Sequence, residues 1–594
     1  MRSPDAAPPF DDSRRLTGCN LFFDGPGAVL EAAPVALAAG VIQAWHARVA
    51  QARDTLDWPA ATLAARRHAH GATLALAAPL DQLFTATEVN EWALRAALQQ
   101  CGVEAGPRLH APGDPAAWDD EEALATLAAM ARAECDPALP ALAEAAAQHG
   151  IDMLVDDDTV SLGSGRGGRS WPRHSVPGID AVEWGALSDV PITLVTGSNG
   201  KTTTTRLVAT MLQAHGLRTA HTCTDGVFVD GTAIEPGDYS GPAGARLALR
   251  QPDIDAAVLE TARGGILRRG IAPTRADVAI VTNISDDHFG EYGIDNLDDL
   301  ADVKLTVVRP LGEHGTLVLN ADDALLRARA PAVHARLALF ALDADAPALV
   351  ELRARGGSTC GLRDGRLLLE HLGDSHDLGA IEAMPLSFGG AAHYNVSNIA
   401  AAVLAADVLD VGADTLRAVL ASFGSRRGDN PGRLEHFSVG GIEILIDYAH
   451  NPDGMRSLLA AAAHVRRGRM GLLLGQAGDR DDDEVRALAN VAAAEGPDFV
   501  VLKDLPGYLR GRADGEVPRI LRDALLKRGV EAARITIELD EWQALRNLLA
   551  WARAGDTLVL PVHGKHNRPR VTALLETLAR SGWRAGDALP ADAR

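Results

Sequence analysis

Cysteine is scarce in this chain: five residues among 594, Cys19, Cys101, Cys135, Cys223 and Cys360, with no C-x-x-C pair. An odd, widely scattered set argues against a disulfide framework and against a zinc knuckle, and leaves these side chains as small core residues. Long apolar runs are also missing. None approaches the roughly 18 residues needed to span a bilayer. Met1 to Arg15 lacks the apolar centre of a signal peptide, so the chain is expected in the cytoplasm and away from membranes. Positive charge is in deficit too. A formal net charge of −22, with no Lys/Arg cluster interleaved with aromatics to offset it, would repel a phosphate backbone and excludes nucleic acid as a partner.

What is present is the composition of an ordinary globular protein, 47% apolar. The length is far beyond one core and implies about three to four domains. Residues 1–15 are polar and Pro-rich and read as a disordered tail. Residues 16–162 mix Ala/Leu-rich helical patterns (Pro34–Arg53, Glu121–Ala133) with short strand candidates such as Thr73–Ala77. Residues 163–190 begin with a Gly-, Arg- and Pro-rich stretch that reads as a linker. Its Gly163-x-Gly165-x-x-Gly168 spacing has the form of a dinucleotide fingerprint, but no apolar helix follows, so a loop is the better reading. From Pro191 onward short β-rich runs alternate with helical stretches, the pattern of a mainly parallel sheet wrapped by helices, and a second such block starts near Gly441.

The most specific segment is Thr196-Gly197-Ser198-Asn199-Gly200-Lys201-Thr202-Thr203-Thr204, directly after the apolar run Ile192–Val195. It reads as a strand, a phosphate-cradling turn and a helix start. Glycines let backbone N–H groups approach phosphate oxygens, Lys201 places its ammonium on the outer phosphates, and the Thr202 hydroxyl can ligate Mg²⁺. The loop departs from the standard G-x-x-x-x-G-K form, because Val195 stands where the first glycine would fall.

Three further groups extend the site. Glu260 closes the apolar run Ala256–Leu259, which puts a carboxylate at the carboxyl end of a strand, where open α/β sheets bind ligands and where it can hold Mg²⁺. His288, after the strand candidate Val278–Val281 and Thr282-Asn283-Ile284, is a second candidate metal ligand. Lys304 lies in the helical pattern Leu297–Val308 among apolar neighbours, where a lysine is costly unless paired or chemically altered.

These pieces resemble the Mur ligase superfamily, and within it the Mur-like half of the cyanophycin synthetases. The resemblance rests on the phosphate loop, Thr224-Asp225-Gly226, Ser240-Gly241-Pro242, the run Leu259-Glu260-Thr261-Ala262-Arg263-Gly264-Gly265, Asp287-His288, Leu319-Asn320-Ala321-Asp322-Asp323, Tyr394-Asn395-Val396-Ser397-Asn398, Asn430-Pro431-Gly432-Arg433 and Asp447-Tyr448-Ala449-His450-Asn451-Pro452. It implies an α/β multidomain architecture: an α/β N-terminal domain, a central P-loop ATPase domain (191–429) and a C-terminal Rossmann-like domain (430–594).

The resemblance also implies a set of roles. Gly197, Ser198, Asn199, Gly200, Lys201, Thr202 and Thr203 would hold the triphosphate of ATP, with Asn283, Asn395, Asn398, Arg433 and Asp447 on the rest of the nucleotide. Thr202, Glu260, His288 and Lys304 would form the Mg²⁺ site, with Lys304 where many members carbamylate a lysine. Arg263, His450, Asn451, Asp479, Arg480, Arg510 and Arg512 would meet substrate. The implied chemistry is ATP-dependent amide ligation: a carboxylate becomes an acyl phosphate, which an amine attacks with loss of phosphate.

The departures bear on substrate and partners. No UDP-sugar-binding domain is evident in residues 1–150. The ATP-grasp domain that cyanophycin synthetases carry is missing, as if excised beside Leu162-Gly163-x-Gly165. The expected substrates are an amino acid and an acidic peptide or polyamide acceptor, with a separate ATP-grasp enzyme and further copies of this chain as partners. A folylpolyglutamate-type or cell-wall ligase for another acceptor is the alternative. A non-catalytic scaffold is a third reading, opposed by the intact Lys201, Glu260, His288 and Lys304.

Overall fold

The computed structural model describes residues 9–60, 62–103, 120–286, 289–505 and 507–590. At the N-terminus four antiparallel strands run in the order Phe10–Leu16, Gly27–Ala32, Gly71–Ala77, Leu63–His68. Helices Val41–Leu56 and Leu83–Gln100 cover them, and Trp45 in their core donates to Asn90 Oδ1 at 2.9 Å. The polar stretch Phe10–Leu16, all but its last residue expected within a disordered tail, is therefore an edge strand. Its ordering comes from Arg14, 7% exposed, which ion-pairs with Glu31 at 2.6 Å and donates to the Leu267 carbonyl at 3.0 Å.

The expected linker also carries structure. Met153–Val155, Thr159–Leu162 and Arg169–Pro172 form a three-stranded sheet under helix Ala138–His149, with Val182 and Leu187 in the same small core. The glycine-rich stretch is a 3-10 turn held against Ser188 and Ile254.

The central domain is built on an eleven-stranded sheet. Strands Thr219–Cys223, Ala256–Glu260, Ile192–Thr196, Val278–Val281, Thr316–Asn320, Arg336–Asp343 and Ser358–Arg363 lie side by side in that order and parallel. Burial on both faces explains their continuous apolar character. Helices Lys201–Ala214 and His393–Val408 fill one face, and Pro242–Leu249, Arg263–Arg269 and Leu297–Leu305 the other. The chain leaves Ile192–Thr196 toward one side and returns as Val278–Val281 on the other, which makes a topological switch point at that strand's carboxyl end.

The C-terminal domain has six strands in the order Glu435–Val439, Ile442–Asp447, Thr557–Pro561, Met470–Leu474, Phe499–Leu502, Ile535–Ile537; the first pair is antiparallel and the rest parallel. Helices line both of its faces. Among the described residues no helix is long and apolar enough to cross a membrane.

Candidate nucleotide and ligation site

The carboxyl ends of three adjacent parallel strands, Ile192–Thr196, Ala256–Glu260 and Val278–Val281, converge on the glycine-rich loop. Gly197 and Gly200 have φ of +141° and +87°. A Cβ at Gly197 would lie 1.9 Å from Thr282 Oγ1, and one at Gly200 2.1 Å from Asn398 Oδ1, so only glycine fits either position. Helix Lys201–Ala214 starts at the loop and presents its free N–H groups there, an anion-binding arrangement. Lys201 Nζ donates to the carbonyls of Gly197 and Ser198 at 3.0 and 3.1 Å, beside the same space.

Asn283 braces the loop. Its Oδ1 accepts from Asn199 N and its Nδ2 donates to Asn199 O, both at 3.0 Å, while its carbonyl accepts from Ser198 N at 2.9 Å. Asn395 and Asn398 form a buried chain behind Gly200: Asn398 Nδ2 donates to Asn395 Oδ1 at 3.1 Å, and Asn395 Nδ2 donates to the Leu386 carbonyl at 3.0 Å. Thr203 accepts from Asn430 Nδ2 at 3.1 Å, which ties the interdomain linker to the start of the helix.

Thr202 Oγ1 donates to Glu260 Oε2 at 2.8 Å. The other oxygen of that carboxylate, Oε1, is buried with no hydrogen-bond partner. Burial pushes the Glu260 carboxyl up, against the Lys201 ammonium and the Thr202 hydroxyl, which favour its charged form. An orphaned carboxylate oxygen beside a phosphate-loop hydroxyl fits a divalent cation with oxygen ligands. His288 and Asp287 lie outside the described residues. Lys304 is 1% exposed on helix Leu297–Leu305.

The C-terminal domain reaches into the same place. Arg433 Nη2 donates to Thr202 Oγ1 at 3.3 Å and to Thr224 Oγ1 at 3.2 Å, and its guanidinium lies 4.5 Å from the centre of the Tyr448 ring. Asp447 accepts from the Leu434 amide at 2.7 Å; burial raises its carboxyl and the Arg433 charge opposes that. Asn199 Oδ1 accepts from Asn451 Nδ2 at 3.1 Å, and the Asn451 side chain also caps helix Pro452–Val465. The phosphate loop thus touches the C-terminal domain through Arg433 and Asn451.

The expected substrate residues divide. His450 stands beside Asn451, with its carbonyl accepting from Gln476 Nε2 at 3.4 Å. Arg263 is buried and ion-paired with Glu291 at 2.5 Å. Arg480 is buried, and Asp479 Oδ1 is buried without a partner. Arg512 is occupied within its own domain: it donates to the carbonyls of Gly478 and Arg480 and ion-pairs with Asp482 and Glu516, so it shapes the 478–482 loop. Arg510 is exposed, with a left-handed φ of +49°.

Two features escape sequence reasoning. A cavity of ≈280 Å³ lies where the central domain, the linker and the first strand of the C-terminal domain meet, lined by Leu386, Phe388, Asn430, Arg433, Leu434 and Phe437. In the C-terminal domain, wholly buried Lys503 contacts Glu541 and lies 2.9 Å from His563 Nδ1; the Glu541 carboxylate also accepts from the amides of His563 and Gly564 and from Asn567 Nδ2. A charged residue ending the apolar run Phe499–Leu502 was the available signal for this cluster.

The Mur ligase middle domain matches residues 195–406, and the Mur ligase glutamate ligase domain matches residues 432–561. The chain belongs to the Mur ligase family. The two matches take in the loop, Glu260, Lys304, Arg433, Asp447 and His450; the first 194 residues lie outside both. Cyanophycin synthetase of Trichormus variabilis is 36% identical over 375 residues, 62% of this chain and 41% of that protein. The match to the Synechocystis enzyme is also 36% identical, over 61% of this chain and 41% of that protein. The chain therefore matches about two fifths of the length of these relatives. UDP-N-acetylmuramoyl-L-alanyl-D-glutamate–2,6-diaminopimelate ligase of Gloeobacter violaceus is 28% identical over 62% of this chain and 71% of its own length. Among solved structures, E. coli FolC with ADP superposes with a TM-score of 0.49 at 18% identity, covering 66% of this chain and 90% of FolC.

Proposed function

We propose that this Mur ligase family member is an ATP-dependent amide ligase that activates a carboxylate as an acyl phosphate and joins it to an amine. The observation that carries the reading is the meeting, at one strand-end crevice, of the Gly197–Thr202 loop, the orphaned Glu260 oxygen and Arg433 from the other domain. The loop amides and Lys201 would bind the outer phosphates. Thr202 and Glu260, with His288 and a carbamylated Lys304, would hold Mg²⁺. Mg²⁺ bound there would neutralise charge on the transferring phosphoryl group. Arg433 is placed to add positive charge as that group leaves ADP.

The matched stretch of the cyanophycin synthetases supports an amino acid as the amine and an Asp-containing peptide or polyamide as the acceptor. His450 stands beside Asn451, which bonds the phosphate loop, and Gln476 reaches the His450 carbonyl; an amine would approach on this side. A separate enzyme would then have to build the acceptor backbone.

Hydroxylamine trapping tests the activation step without knowledge of the amine. Incubation with ATP, Mg²⁺, hydroxylamine and short aspartyl peptides should yield ATP-dependent hydroxamate. Phosphate released in the presence of peptide with no hydroxamate formed would overturn the acyl phosphate route.

A further inference from the structure

Asp225 follows Thr224 in the loop after strand Thr219–Cys223, and each of its carboxylate oxygens is taken by a different domain. Arg206, on the phosphate-loop helix, donates Nη2 to Oδ2 at 2.7 Å. Arg568, on helix Asn567–Ser581 of the C-terminal domain, donates Nη1 to Oδ1 at 2.8 Å. Both arginines are largely buried, 6% and 12% exposed in their side chains. Burial alone would raise the Asp225 carboxyl, but the guanidinium groups of Arg206, Arg568 and Arg433 hold it below its ordinary value.

The surroundings of Arg568 are shaped for it. Its guanidinium lies 5.0 Å from the centre of the Tyr448 ring, the ring that Arg433 also overlies. Gly432, in the linker, has φ of +70°, and a Cβ there would come within 2.9 Å of Arg568 Cδ. Arg568 thus sits on one residue from each part of the machine: Asp225 of the central domain, Gly432 of the linker and Tyr448 of the C-terminal domain. The neighbouring residue on each side is at the nucleotide crevice, Thr224 beside Asp225 and Arg433 beside Gly432.

We propose that Arg568 is a positioning residue: it latches the C-terminal domain onto the central domain through Asp225, and the latched position is what sets Arg433 against Thr202 and Thr224. The inference rests on the nucleotide-site reading above. Arg568 touches neither Thr202 nor the phosphate loop, so it acts through Arg433 and Tyr448. Replacing it with glutamine leaves Arg206 on Asp225, so the substitution does not strand a buried carboxylate. The fold should survive while the domains part.

The linker carries its own reporter, because Arg426 and Arg427 are exposed and offer trypsin a cut between the domains; Lys527 and Arg528, exposed at the C-terminal end of helix Glu516–Lys527, serve as the control. The full chain is digested with and without ATP and Mg²⁺, and binding of a fluorescent N-methylanthraniloyl ATP is measured in parallel. In Arg568→Gln the linker cut should be about tenfold faster than in the unsubstituted protein, with the Lys527–Arg528 cut unchanged and the nucleotide dissociation constant within about threefold. Gly432→Ala, which displaces Arg568 without removing a charge, should do the same. Linker cleavage unchanged in both variants, or accelerated equally at the control site, would overturn the latch. If the unsubstituted protein fails to bind the nucleotide, the nucleotide reading falls instead, and digestion without ATP still decides the latch.

Discussion

Thr202 Oγ1 gives its hydrogen bond to one oxygen of Glu260, 2.8 Å away and 58 residues later, while the second oxygen of that carboxylate is buried with nothing to accept from. A buried acceptor left open is a cost to the fold. At the end of a central parallel strand, beside a phosphate loop, it has the chemistry of a divalent-cation ligand.

Glu260→Gln should therefore separate stability from function. Turnover should fall about 10²- to 10³-fold, the size of a lost transition-state contact. Stability of the ligand-free protein should rise by about 1 kcal/mol at neutral pH. Burial raises the Glu260 carboxyl, so the folded state keeps its proton to a higher pH than the unfolded chain. The ionised form is the costly one, and the advantage of the variant should shrink as pH falls through the acid range. Urea midpoints for both proteins at acid and neutral pH check the sign.

Lys201→Ala should abolish turnover and leave the fold intact, because among the described residues the side chain bonds to loop carbonyls alone. Gly200→Ala should weaken ATP binding by more than about tenfold, since the added methyl displaces Asn398 and the φ of +87° is strained for alanine. Calorimetric titration with ATP and Mg²⁺ and thermal melting distinguish the two outcomes.

A pH dependence unrelated to catalysis should come from Asp152. Its carboxylate accepts from the Thr274 amide and hydroxyl and stands near Asp189, and burial lifts its pKa from 3.8 to about 7. Between those pH values the folded chain holds a proton that the unfolded chain has lost. This group's contribution to stability therefore declines as pH rises through that window, by at most about 1.4 kcal/mol per pH unit. Asp152→Asn should remove that slope in denaturant unfolding measured from pH 4.5 to 7.5.

Lys503→Met should destabilise the C-terminal domain by about 3–5 kcal/mol, because it leaves the buried Glu541 carboxylate without its cation. Lys503 and His563 now hold that carboxylate down, to about 2, against burial. Chemical denaturation followed by tryptophan fluorescence, with Trp542 next in sequence to Glu541, reads the loss.

What the sequence made legible was local. The glycines, Lys201 and Thr202 lie within a few residues of each other, and Glu260 announces itself as an acid closing an apolar strand. Contacts between segments far apart in sequence were not legible. Nothing in Gly432 reveals that it seats Arg568, and the charge that ends the apolar run at Lys503 does not tell which carboxylate, 38 residues on, it meets. The strand Phe10–Leu16 read as disordered because its polar side chains hide the pattern; its order depends on Glu31 and the Leu267 carbonyl, supplied from elsewhere. Arg512 looked like a basic surface for an acidic acceptor, yet its guanidinium is occupied by two carbonyls and two carboxylates of its own domain.

The most direct test is phosphate release by the purified chain with ATP and Mg²⁺, across a matrix of amino acids as amines and aspartyl peptides, including β-Asp-Arg, as acceptors. The account predicts release that requires both an amine and a carboxylate and disappears in Lys201→Ala. Release that proceeds at full rate with neither substrate present, or that survives in Lys201→Ala, would contradict it.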